Sequence, residues 1–179
     1  PKLLLPWGGT TVLGQVVSTF AMAEMEEIIV VTGAQRDQIE RLVAELALDY
    51  PVRTVYNPDY AHGEMLSSIQ AGLAALDSLP QAALIGLGDQ PQVRQETLQR
   101  ICAAFVRTKS ALVIPSFQNR RGHPWLAARL LWPKILALRP STTARQFLNT
   151  YTGQMEYIPT DASILQDLDT QDDYARQRP

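Results

Sequence analysis

Apolar and polar positions along this chain follow two alternating periods. The run EEIIVVTG (26–33) is short, apolar and ends at Gly33, the pattern of a buried strand. RDQIERLVAELA (36–47) follows it and sets Ile39, Leu42, Val43 and Leu46 at helical spacing. The unit then repeats. VRTVYN (52–57) reads as a strand, and EMLSSIQAGLAAL (64–76) as a helix with Met65, Ile69, Leu73 and Leu76 on one face. AALIGLGD (82–89) is a third strand, TLQRICAAFV (97–106) a helix and ALVIPS (111–116) a fourth strand. Strands alternating with longer helical segments predict an α/β protein with a mainly parallel sheet.

Regularity weakens through FQNRRGHPW (117–125). Beyond it, LAARLLWPKILALR (126–139) reads as an apolar helix interrupted by Pro133, and TTARQFLNTY (142–151) as a further helix. MEYIPT (155–160) reads as a strand and LDTQDDYARQ (168–177) as a last helix, with Thr170 and Asp173 spaced as a capping box. At the other end Lys2 runs into Leu3–Leu5, a Trp-Gly-Gly turn and a helix.

The chain has 179 residues, the size of one ordinary domain, and carries no fixed-period repeat or linker. Residues 1–179 are therefore read as a single domain. With 46% hydrophobic and 19% charged residues the composition is globular, and a net charge of −2 offers no broad basic field for nucleic acid. Cys102 is the single cysteine, which rules out an internal disulfide and reads as a small core residue. No apolar run approaches the ~18–20 residues that span a bilayer. The expected location is the cytoplasm.

Ligands of open α/β sheets bind beyond the carboxyl ends of the strands, and three stretches lie there. In GLGDQPQV a buried strand is expected to stop at Gly88, so that Asp89 emerges one residue later, placed to hold a divalent cation or to start a turn. In QDLDTQDDY, Asp167 and Asp169 face one way if the loop is extended, and one of them could complete a metal site with Asp89; Asp172 and Asp173 suit a helix start. In HGEMLSSIQAGL, Ser67 and Ser68 sit in the first turns of a helix, where hydroxyls donate to a base or phosphate or simply start the helix. Arg120 and Arg121 in RRGHPW could meet an anion. The two histidines, His62 and His123, lack zinc-site spacing, and neither dinucleotide nor P-loop glycine motifs occur.

Taken in order, PKLLLPWGG, GEMLSSIQAGL, GLGDQPQV, RGHPWL and QDLDTQDDYARQ resemble the MobA-like NTP transferase family over nearly the whole chain. The GDQP and GHP features are more similar to the molybdenum cofactor cytidylyltransferase (MocA-type) branch than to the guanylyltransferase one. The resemblance implies a three-layer, Rossmann-like nucleotidyltransferase fold with a mostly parallel central sheet. It implies a Mg2+-dependent reaction joining the CMP of CTP to a molybdopterin acceptor with release of pyrophosphate, and a molybdoenzyme maturation partner. By position it makes Lys2 and Asp89 catalytic, and Lys2, Ser67, Ser68 and Gly88 nucleotide-binding. Gln90, Gly122 and His123 fall on the acceptor side, and Asp89 and Asp169 hold the metal. In the family a strand and a loop of the type Leu-Ala-Ala-Gly-x-Ser-x-Arg-Met-Gly precede the lysine, so the natural chain is expected to continue upstream of Pro1. Glu64 also stands between Gly63 and Met65, which the family usually joins. Two alternatives stay open: another phosphorylated acceptor such as a sugar phosphate, and a non-catalytic nucleotide-binding module.

Overall fold

The computed structural model describes every residue except Ser78. A 3-10 turn over Lys2–Leu4 leads into the short antiparallel pair β1 (Pro6–Trp7) and β2 (Thr10–Thr11), then α1 (Val12–Met22). Next come β3 (Ile28–Thr32), α2 (Arg36–Leu46), β4 (Val52–Tyr56), α3 (Glu64–Ala74), β5 (Ala82–Ile85) and α4 (Gln95–Thr108). The remainder holds β6 (Leu112–Phe117), β7 (Arg120–Arg121), β8 (Trp125–Ala128), α5 (Trp132–Leu136), α6 (Ala144–Asn149), β9 (Met155–Pro159) and α7 (Gln171–Gln177). The expected α/β succession holds from Ile28 to Phe117.

Strands β3 and β4 pair in parallel, Ile28 opposite Val52 through Thr32 opposite Tyr56. The second sheet has five strands and is mixed. β9 runs parallel to β6, whereas β8 lies antiparallel between β5 and β6. That insertion corrects one expectation: Leu126–Ala128, expected to begin a helix, lie with Trp125 in a strand. All four residues are buried, and a short continuous apolar run does not distinguish a buried strand from a helix. Pro133 interrupts nothing; it sits in the first turn of α5, where its missing N–H costs no hydrogen bond.

Period-two alternation sorts the sheet residues into two layers. Leu112 and Ile114 of β6, Trp125 and Ala127 of β8, and Ala83 and Ile85 of β5 pack against α3, α5 and α6. Their neighbours Val113, Leu126, Ala82 and Leu84 turn to the opposite face, against Ile101 and Ala104 of α4. Leu98 and Ile101 are fully buried, each worth about 1.5–3 kcal/mol by area removed from water. Cys102, expected as a core residue, is half-buried at the margin of this layer.

Helices α1 and α3 connect the two sheets. Leu13, Val17 and Phe20 of α1 pack with Ile28 and Val30, and Phe20 also reaches Leu84. On the other face, Ile69 and Leu73 of α3 join Ala83 and Ile85, while Gly72 lies so close to β3 that a Cβ would stand 3.2 Å from Val31. Among the described residues β3 pairs only with β4, and β5 only with β8. Each keeps one open edge between the same two helices. No helix among the described residues is long and apolar enough to cross a membrane.

Candidate active site

Strand β5 ends at Ile85, earlier than Gly88, and Gly86, Leu87 and Gly88 carry the chain to Asp89 beyond its carboxyl end. Gly86 lies against the Phe20 ring: a Cβ there would stand 2.5 Å from Phe20 Cζ, so the ring would have to shift. The N-terminal turn is seated beside this loop by its leucines. Leu3 lies against Gly88 and packs with Trp7, Val12 and Leu168. Tyr174 of α7 ties the same segment down by donating to the Pro6 carbonyl at 2.5 Å.

These contacts deliver Lys2 to Asp89. Its ammonium lies 2.5 Å from Asp89 Oδ2 and 3.2 Å from Asp169 Oδ1. Asp169 is brought in by its neighbour Leu168, which is 2% exposed and whose N–H donates to the Asp89 carbonyl at 3.2 Å. Directly after it, the capping box forms as expected: Asp173 N–H donates to Thr170 Oγ1, and Thr170 N–H to Asp173 Oδ2. Asp172 and Asp173 thus belong to the helix start. Asp167 makes no ion pair with Lys2 among the described residues and instead accepts from Gln90 Nε2 at 2.6 Å.

Electrostatics follow from this packing. Partial burial opposes the Lys2 ammonium, but hydrogen bonds and charges from Asp89 and Asp169 outweigh it and hold its pKa above the ordinary lysine value. Burial raises Asp167, against the Gln90 hydrogen bond and with the repulsion of Asp89 and Asp169. His123 is pushed by burial down to about 4, with the Asp89 charge opposing, so its ring is neutral at pH 7.

Gln90, Gly122 and His123 meet at one carbonyl that sequence reading overlooked. Ile164 O accepts from His123 N–H at 3.2 Å and from Gln90 Nε2 at 3.4 Å. At Gly122 a Cβ would stand 2.3 Å from that same oxygen, so only glycine lets the chain pass. Gln90 is 4% exposed, and its Oε1 has no partner among the described residues. Arg120 and Arg121 stay exposed on β7, with Arg121 bound to Asn149 and away from Lys2.

Ser67 and Ser68 form a separate cluster beyond the carboxyl end of β4. Asn57 Nδ2 donates to Ser67 Oγ at 2.8 Å and to Ser68 Oγ at 3.1 Å. No hydrogen bond or ion pair joins this cluster to Lys2 among the described residues.

Two carboxylates converging on one cationic atom make a donor set that suits a divalent ion completed by phosphate and water, because magnesium commonly takes only one or two protein carboxylates. A protein-only cage is a poorer description, since no three His, Cys, Asp or Glu side chains gather among the described residues.

Comparison with known proteins agrees with this architecture. The family model "MobA-like NTP transferase domain" matches residues 1–155. The chain is 30% identical over 182 aligned residues to nicotine blue oxidoreductase of Paenarthrobacter nicotinovorans, covering 95% of this chain and 84% of that protein. It is also 30% identical to the bifunctional protein GlmU of Corynebacterium aurimucosum over 64% of this chain, but spans only 24% of GlmU. Among solved structures, Rv0371c from Mycobacterium tuberculosis H37Rv superposes with a TM-score of 0.82 at 26% identity, covering 98% of this chain and 87% of that one. Rv0371c has also been solved in complex with manganese, with a TM-score of 0.76 at 25% identity over 98% of this chain and 90% of that one. A nucleotidyl transferase from Methanothermobacter, Mth528, superposes with a TM-score of 0.80 at 25% identity, covering 99% of this chain and 83% of that one. The chain belongs to the MobA-like NTP transferase family, a family of nucleotidyltransferases.

Proposed function

We propose that the protein is a Mg2+-dependent cytidylyltransferase that joins the CMP of CTP to the phosphate of a molybdopterin-type acceptor. The observation that carries this reading is the convergence of Lys2, Asp89 and Asp169 beyond the carboxyl end of β5, beside the Gln90–Gly122–His123 group. One cluster suits phosphates and the other suits an acceptor. The reaction would run in the cytoplasm and supply a molybdoenzyme maturation partner.

An oxygen of the acceptor phosphate attacks the α-phosphorus of CTP, the bond to the β-phosphate breaks, and pyrophosphate leaves with that electron pair. No protein nucleophile is needed, so the residues act by alignment and charge. Asp89 and Asp169 would hold the magnesium ion, which when bound neutralises charge on the phosphate oxygens. Lys2 moves from the carboxylates to the triphosphate and offsets the charge that grows on departing pyrophosphate. Ser67, Ser68 and the backbone at Gly88 line the nucleotide. On the acceptor side, Gln90 and Gly122 would shape the wall of the site through Ile164 O, and neutral His123 adds no charge beside Asp89.

The same reading treats residues 1–179 as one nucleotidyltransferase domain.

Pyrophosphate release is the test, measured with each nucleoside triphosphate, magnesium and either molybdopterin or sugar phosphates. We expect release with CTP and molybdopterin. Equal use of CTP and GTP removes the cytidylyl assignment, and release only with a sugar phosphate reassigns the acceptor. Nucleotide binding without release on any acceptor identifies a non-catalytic module.

A further inference from the structure

Asn57 follows the last residue of β4 and is 2% exposed, an unusual depth for a primary amide at the end of a strand. Its two amide ends are told apart by a partner that can only donate. The Asp59 backbone N–H reaches Asn57 Oδ1 at 3.0 Å, so the opposite end, Nδ2, must face the serines. It donates to Ser67 Oγ at 2.8 Å and to Ser68 Oγ at 3.1 Å. Both hydroxyls are therefore held as acceptors, and each keeps one proton to give away.

The two protons have different fates. Ser67 spends its own on the Glu64 carbonyl at 3.1 Å. That carbonyl is the one a helical Ser68 would ordinarily bond back to, four residues earlier. Among the described residues Ser68 has no acceptor for its proton, and the residue is only partly buried. Close packing holds the pair in place, because a Cβ at Gly63 would stand 2.2 Å from Ser67 Cβ. Tyr56, next to Asn57 in sequence, and Tyr60 are exposed with ring centres 6.4 Å apart, and the Arg36 guanidinium lies 4.5 Å from the Tyr56 ring centre.

We propose that Asn57 is a positioning residue that sets Ser68 as a hydrogen-bond donor and, through it, the nucleobase preference of the site. This rests on the cytidylyltransferase reading above and deepens it. The recognition edge of cytosine carries two adjacent acceptors, O2 and N3, beside one amino donor. That of guanine carries one acceptor, O6, beside two donors. A fixed donor hydroxyl therefore discriminates in favour of cytosine.

The test is calorimetric binding of CTP and GTP, each with magnesium, to the full chain and to Asn57→Asp, Ser68→Ala and the double variant. Aspartate keeps the shape and still accepts from Asp59 N–H, but its second oxygen takes the serine protons and removes the donor. We expect CTP affinity to fall about tenfold in either single variant, the scale of one hydrogen bond, with GTP affinity changed by about twofold or less. The double variant should lose no more than Ser68→Ala alone, because Asn57 acts through Ser68. Equal losses for both nucleotides, or a further loss when Asn57→Asp is added to Ser68→Ala, overturn the role of Asn57. Ser68→Ala is a mild helix substitution, so an unchanged CTP-to-GTP ratio in that variant alone also overturns it. A wild-type protein that binds CTP no better than GTP instead overturns the cytidylyl reading itself.

Discussion

The ammonium of Lys2 and the carboxylate of Asp89 lie 2.5 Å apart across 87 positions of sequence, and Asp169 stands 3.2 Å from the same nitrogen. A cation thus already occupies the point on which both carboxylates converge. On the proposed reading a divalent ion would have to compete with the ammonium for that point, and a triphosphate would draw the ammonium away.

Replacing Lys2 by alanine should therefore have opposite effects on metal and on turnover. Calorimetry without nucleotide should find Mn2+ bound several-fold more tightly, about the worth of a half-exposed ion pair. Nucleotidyl transfer should fall about 100-fold, as for loss of one preorganised charge-stabilising group. Unchanged Mn2+ affinity would show that the ammonium does not compete.

Asp89→Asn should abolish pyrophosphate release and leave the fold intact. Leu168 is held by the backbone carbonyl of Asp89, not by its side chain, so the 163–169 segment keeps its anchor. The expected loss is at least about 100-fold in rate with a melting temperature within a few degrees of wild type. Full turnover at saturating magnesium would end the metal role of Asp89.

Gln90→Leu removes the donor on which Asp167 depends, 2.6 Å away, together with the weaker tie to Ile164 O. A stability loss of about 1 kcal/mol is expected by denaturant unfolding. The more telling measurement is proteolysis of the 161–170 segment, which should become faster. Unaltered proteolysis would mean that Leu168 alone holds this segment.

Gly122→Ala forces a Cβ to 2.3 Å from the Ile164 carbonyl oxygen, a backbone atom with no rotamer to yield. Overpacking of this kind costs about 1–3 kcal/mol. Displacing Ile164 also shifts the chain leading to Asp169, so Mn2+ affinity should fall with stability. Wild-type values for both would show that the two segments move apart freely.

His123 supplies the pH dependence. Its folded pKa of about 4 lies below the usual 6.5, so the unfolded chain binds the proton more readily. The stability contributed by the neutral ring is fully present above pH 6.5 and is lost as pH falls from 6.5 towards 4. His123→Gln should flatten the acid side of the stability curve in that window. An NMR titration of the His123 ring with a midpoint near 6.5 would contradict its burial.

Helices 36–46, 64–74 and 95–108 were legible because an amphipathic period is a local property, and the Thr170–Asp173 box because its partners are three residues apart. Trp125–Ala128 was not legible, since an apolar run buried on both faces shows no period. The proximity of Lys2 to Asp89 came only from resemblance to a family, never from composition or spacing. Sequence by itself determined the α/β succession and which stretches end at the carboxyl side of a strand. Tertiary structure alone decided that Ile164 O joins Gln90 to His123, that Asp167 serves Gln90 while Asp169 serves Lys2, and that Asn57 governs two serines on another element. These are hydrogen bonds between residues distant in sequence. Their geometry exists only once the buried leucines and isoleucines have brought the segments together.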